Sequence, residues 1–234
     1  MKYAAFNRIS LTLVSFLFAS IFLIGANRAS AQEATPGVVG DAVTTECVTD
    51  LGTSEVPNGA TSFTVDSEQS EVRYKVEEEL AGQGTNEAVG ATNAVIGTIL
   101  IDEDGNPLPC SRFDVDLRTL VTDDSKRDAR VQDVLQTSQY PVATFIVTEV
   151  TVPDGGLVDG EETAITLTGN LELHGVTHQV TWTGTVTRDG DTISGTAMTQ
   201  VSFDDYEVDK PVIGPVMSID DTLTLEIDLV ANAG

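Results

Sequence analysis

The chain has 234 residues, with 37 Asp and Glu against 12 Lys and Arg and a net charge of −25 at neutral pH. A surface this acidic repels phosphate backbones and anionic head groups, which excludes nucleic-acid binding. Its two cysteines, Cys47 and Cys110, make no zinc site at that spacing.

Residues 1–31 read as a cleaved signal peptide. Lys2 and Arg8 flank a polar start, an apolar run follows from Leu11 to Ala26, and Ala29-Ser30-Ala31 offers the small residues a signal peptidase reads. The run falls short of the roughly 20 residues that a spanning helix needs. No later segment could span a bilayer as a helix, so no membrane span is expected after cleavage. Removal takes Lys2, Arg8 and Arg28 with no acid, moving the net charge from −25 to −28. The product is expected outside the cytoplasm, in the periplasm or secreted. Residues 32–61 read as an acidic, flexible tail rich in Gly, Pro and Thr with no lasting periodicity. Export favours a disulfide between Cys47 and Cys110 that staples this tail to the folded domain; the alternative is two buried thiols.

From residue 62 to 234 the dominant period is two. Val72, Tyr74 and Val76 alternate with Arg73, Lys75 and Glu77, and Phe113, Val115 and Leu117 alternate with Asp114, Asp116 and Arg118. Ile165, Leu167, Leu171 and Leu173 share a face with Gly169, as Val180, Trp182 and Val186 do with Gly184. Ile193, Ala197, Val201 and Phe203 keep the beat, and Leu223, Leu225, Ile227 and Leu229 close the series. Each run predicts a strand with one wet and one dry face. Val95 to Ile101 is apolar on both faces, so its phase stays open. Turns are predicted at Asp104-Gly105-Asn106, Asp154-Gly155-Gly156, Asp159-Gly160 and Asp189-Gly190-Asp191, which tolerate positive φ. Asp124 to Gln136 breaks the beat: Val131, Val134 and Leu135 fall at helical spacing, predicting a helix of about three turns that Pro141 cannot continue. The expectation is an all-β fold, an antiparallel barrel of about eight strands with one short helix, because closure removes both sheet edges.

Chemistry is hard to place on this pattern. His174 and His178, four apart, flank the turn Gly175-Val176-Thr177, where the expected role is hydrogen bonding rather than metal ligation. Asp102-Glu-Asp-Gly-Asn106 lacks the closing acid of a calcium loop and reads as a hairpin turn. Asp204-Asp205 and Asp220-Asp221 read as solvated loop acids, and no Gly-x-Ser-x-Gly elbow occurs. Arg127-Asp128 reads as pinning the helix. No catalytic residue, metal or cofactor is expected.

Several segments together resemble the YceI-like family of bacterial exported proteins, which bind lipids or polyisoprenoids. They are Ser70-Glu-Val-Arg-Tyr74, Gly97-Thr-Ile-Leu-Ile-Asp102, Arg127-Asp128, Tyr140-Pro141 with Ala143-Thr-Phe145, Gly169 through Gly175-Val176-Thr177, Phe203-Asp-Asp-Tyr206 and Ser218 to Leu225. The resemblance runs from about Phe63 to Ala231. It implies an extended, lipocalin-like barrel with an apolar tunnel for an isoprenoid lipid or isoprenoid quinone.

An eight-stranded barrel is either just filled by its side chains or just able to hold a ligand. The dry faces mix aromatics with Gly97, Gly169, Gly184, Gly195, Ala143 and Ala197, and those small residues are expected to leave volume. The expected lining is Val72, Tyr74, Val76, Phe113, Val115, Phe145, Leu167, Leu171, Trp182, Leu225 and Ile227. A neutral head group is expected to bind better than a phosphate, unless Arg118, Lys126, Arg127 or Arg130 stands at the mouth. The competing reading is a closed structural or stress-related surface barrel without ligand. The oligomeric state is left open, with a dimer as one option.

Overall fold

The computed structural model describes residues 40, 41, 47, 50–153 and 155–234. The predicted signal peptide, half of the predicted tail and Asp154 of one predicted turn lie outside the described residues. In chain order the strands are β1 (Gly40–Asp41), β2 (Thr61–Val65), β3 (Glu71–Leu80), β4 (Gly84–Thr92), β5 (Val95–Ile101) and β6 (Arg112–Asp116). The helix α1 (Ser125–Val134) follows, then β7 (Val142–Thr151), β8 (Glu162–Leu173), β9 (Val176–Asp189), β10 (Thr192–Ser202), β11 (Val216–Ile219) and β12 (Thr222–Ala233).

Alternation and short turns drive the strands into one antiparallel ring. β5, β6, β7, β8, β9, β10, β12 and β2 pair in that order and β2 returns to β5, so eight strands close the barrel. β12 is long enough to serve two partners: Ala231–Ala233 pair with β2, and Thr224–Asp228 pair with β3. β4 then extends the wall beside β3 as β5 does beside β2. Where β6 ends, the next segment bridges the gap: Val121 pairs with Ala91 of β4, and Leu117 N–H donates to Pro141 O at 2.9 Å. Asp124 caps α1, its carboxylate accepting from Lys126 N–H at 2.8 Å, and the helix buries Val131 and Val134.

The β8–β9 turn is His174-Gly175, with φ of 54° and 78°. Both central residues are left-handed, the geometry whose twist matches antiparallel strands. His174 is therefore inside the turn, and Val176 and Thr177, placed in the turn by sequence pattern, belong to β9.

The open phase of β5 resolves for a reason the sequence pattern does not contain. Gly97, Ile99 and Ile101 face inward, yet Thr98 and Leu100 on the outer side are buried too. Part of the segment assigned to the tail lies over them. Gly52 O accepts from Thr98 Oγ1 at 2.8 Å, Gly52 N–H donates to Asp114 at 2.5 Å, and Ser54 Oγ donates to Cys110 O at 2.5 Å. Asp114, 2% exposed, is further held by Arg112 and by Thr144 Oγ1. A disulfide joins Cys47 to Cys110 beside this cover.

Candidate functional site: the barrel cavity

A cavity of about 250 Å³ runs through the barrel. That exceeds the roughly 150 Å³ of an apolar cavity that binds benzene, and it approaches the about 300 Å³ at which small-molecule pockets begin. Its wall draws on barrel strands and on α1. On β8 alone it extends from Ile165 to Leu173, roughly 26 Å along the strand at about 3.3 Å per residue. Strand tilt of about 35–45° reduces this to roughly 20 Å along the axis. The space is therefore long and narrow.

All eleven predicted lining residues border this one cavity. Phe113, Phe145 and Trp182 make an aromatic waist, with ring centroids 6.4 Å apart for the first pair and 5.7 Å for the second. On one side of the waist Ile99, Ile101, Leu157 and Ile193 continue the wall, with Phe63, Val65 and Val95 packed behind them. On the other side stand Val131 and Val134 of α1, Phe203, Tyr206, Val208 and Ile219.

The glycines on the dry faces act differently from the expectation. A Cβ at Gly169 would stand 2.7 Å from the Phe145 ring, and one at Gly97 would stand 3.0 Å from the Phe113 ring. At Gly90 it would come within 2.2 Å of the Tyr74 ring. A neighbouring aromatic already fills each of these positions, and at Gly97 and Gly169 a Cβ would also meet the backbone oxygens of Arg112 and Ile146 on the adjoining strand. The missing side chains let each ring lie against the wall instead of projecting into the bore, which is how the bore stays open. Gly184 and Gly195 are pressed against the backbone of the adjoining strand, where a Cβ would collide with Thr196 O and Thr185 O. They contribute strand approach and no free volume.

The polar part of the wall escaped the sequence pattern. Glu78 and Arg127 border the cavity with side chains 3% and 11% exposed, paired at 2.9 Å between Arg127 Nη2 and Glu78 Oε1. Glu78 also accepts from Asn86 Nδ2 at 2.9 Å, and Arg127 pairs through Nη1 with Asp123. The signal for Glu78 lay in its phase, two residues beyond Val76 on the dry face of β3. Through its pair with Glu78, Arg127 ties α1 to β3, and Asp128 holds the start of the helix by accepting from Thr122 N–H and Oγ1 at 2.7 Å each. Among the described residues, four buried polar side-chain atoms lack a protein partner: Tyr74 Oη, Arg127 Nε, Trp182 Nε1 and Tyr206 Oη. Their residues all border the cavity. Burial pushes the Tyr74 hydroxyl up to about 12 and raises that of Tyr206 as well.

Both histidines bond to the three-residue turn Asp204–Tyr206. His174 Nδ1 lies 3.0 Å from Tyr206 O, and His178 Nε2 lies 2.8 Å from Asp205 O. The His178 ring also meets Tyr206 edge-on at 5.4 Å. They fix the segment that carries Tyr206 into the wall.

A model of the YceI-like domain matches residues 63–231. No curated protein matches the sequence. Among solved structures, a polyisoprenoid binding domain from Saccharophagus degradans, implicated in plant cell wall breakdown, aligns with a TM-score of 0.58 and 20% identity over 74% of this chain and 99% of that one. BcnA from Burkholderia cenocepacia aligns with a TM-score of 0.57 and 20% identity over 72% of this chain and 99% of its own. At that identity the two structures establish a shared fold.

Proposed function

This chain belongs to the YceI-like domain family, and on that premise we propose that it is an exported, non-catalytic protein that sequesters or carries a long isoprenoid lipid or isoprenoid quinone in its barrel. One observation carries the reading: a continuous, almost wholly apolar cavity of about 250 Å³ threads the barrel past its aromatic waist. The polyisoprenoid-binding domain that shares the fold supports it. A solid-cored structural barrel would have no such space.

The energetics favour a long chain. Each methylene removed from water contributes about 0.8 kcal/mol. Association costs about 4–15 kcal/mol, and a micromolar complex needs about 8 kcal/mol beyond that. Roughly 15 to 30 methylene equivalents satisfy both. Short acyl chains fall below the range and multi-unit isoprenoids reach it.

Native mass spectrometry of protein expressed from the full chain and exported by its host tests the proposal. The expected spectrum shows a polypeptide beginning at Gln32 with one isoprenoid bound, released by organic solvent. A protein free of lipid, whose Trp182 emission also stays unchanged on titration with a long-chain isoprenoid quinone, would overturn the carrier reading. Retention of residues 1–31 would overturn cleavage alone.

A further inference from the structure

The four unpartnered atoms are not alike. Trp182 Nε1 and Tyr206 Oη belong to the side formed by β9 and the 204–206 turn, where Asp205 is the charge felt at the Tyr206 hydroxyl. Tyr74 Oη and Arg127 Nε stand on the side formed by β3 and α1, and the charge of Arg127 is felt at Tyr74. Both of the latter are hydrogen-bond donors, and Arg127 Nε cannot accept. A buried donor without an acceptor is costly, so two of them on residues that border one cavity mark a place for an oxygen that accepts.

The charge balance of the wall restricts what that oxygen can belong to. Among the described residues the charged members of the lining are Arg73, Glu78 and Arg127. Arg73 has its guanidinium tied to Glu71, Asp228 and Glu226 on the outer side of β3 and β12. Arg127 is matched by Glu78, which is almost fully buried and therefore unscreened by water. Asp123, its second partner, is 86% exposed on its side chain and mostly screened. An anionic oxygen brought to Arg127 Nε would also approach Glu78, in a site too dry to screen the repulsion.

We propose that Tyr74 and Arg127 seat the ligand's head through an uncharged oxygen acceptor such as a ketone, quinone or ester carbonyl, and that Glu78 is the residue that bars an anionic head. The site rests on the reading of the cavity as a lipid site and deepens it. It orients the ligand: the head lies at β3 and α1, and the tail passes the aromatic waist toward Ile101, Leu157 and Ile193. Phosphate exclusion thus comes from one buried carboxylate rather than from the overall acidity of the surface.

Three probes of equal chain length separate the parts: geranylgeranylacetone for a carbonyl head, the matching hydrocarbon for no head, and geranylgeranyl phosphate for an anion. Trp182 is the one tryptophan of the chain and borders the cavity, so its emission reads occupancy. The ketone should bind about three- to tenfold more tightly than the hydrocarbon. Tyr74→Phe should remove most of that difference, read as the ratio of ketone to hydrocarbon affinity in the same variant. Glu78→Gln, nearly isosteric, should improve phosphate binding about tenfold, with circular dichroism confirming the fold. Equal affinities for ketone and hydrocarbon, or a phosphate affinity indifferent to Glu78→Gln, would overturn the head-group seat while leaving the tail site standing. Failure of the hydrocarbon itself to bind would overturn both.

Discussion

Two ends of one bore are built on opposite terms. At the end formed by β2, β5 and the β9–β10 hairpin, Phe63, Val95, Ile101, Ile193 and Ala231 are 0–1% exposed, and apolar packing continues behind the wall. At the end formed by β3, α1 and residues 203–208, the wall holds the buried Glu78–Arg127 pair and the unpartnered atoms of Tyr74, Arg127 and Tyr206. The first end spends its side chains on stability. The second leaves polar groups unsatisfied in a place where a ligand could satisfy them, and natural cores avoid that arrangement elsewhere. Substitutions should therefore cost stability at one end and selectivity at the other.

The largest expected effect tests the apolar end. Phe63→Ala removes a ring that is 1% exposed and sits among the side chains of β2, β5 and β12. Its cost should be about 3–5 kcal/mol, the usual range for a buried aromatic truncated to alanine, measured by urea denaturation. A cost under about 1 kcal/mol would mean that this end is not close-packed, and the contrast would fail.

A smaller effect should fall between the two ends. Gly90→Ala places a methyl group against the Tyr74 ring, within 2.2 Å of Cε1 before any relaxation. The obstruction is a side chain, so the ring can give way, but its path leads into the bore. Overpacking of this kind costs about 1–3 kcal/mol, and it should also lower the affinity for any isoprenoid, with or without a head group. A melting temperature shift without loss of binding would show that Tyr74 moves elsewhere and that the glycine does not keep the bore open.

The apolar wall was legible in the sequence and the buried charge was not, for a physical reason. Alternation along one strand is local, so the wall residues from Val72 to Ile227 could be read off the period alone. Burial of a charge is not local. Glu78 is dry only because Arg127, in a helix 49 residues later, reaches it. Either residue taken singly reads as solvated, Glu78 in the middle of an acidic run and Arg127 on a polar helix. The β5 ambiguity has the same origin: Leu100 is buried on the outer face because residues around Gly52 lie across its neighbour Thr98. The glycines misled for a subtler reason. Composition shows that a side chain is missing but not whose ring fills the space.

The smallest expected change is at Tyr74, where the two ends differ in sign. Tyr74→Phe deletes a hydroxyl that has no partner, so at neutral pH it should cost little or be slightly stabilising, within about 1 kcal/mol. The alkaline range separates this from indifference. Burial holds the Tyr74 hydroxyl at about 12 in the folded protein, against about 10 in the unfolded chain. Between those values the folded state keeps a proton that the unfolded state has lost. Stability is thus complete below about pH 10 and declines as pH rises toward about 12. Tyr206, raised by burial in the same direction, adds to the decline. Denaturation followed from pH 9 to 12 should show a shallower fall for Tyr74→Phe than for the parent protein, with residual slope from Tyr206. Parallel curves would mean that water already reaches the Tyr74 hydroxyl, and the donor pair proposed for the ligand's oxygen would be one donor short.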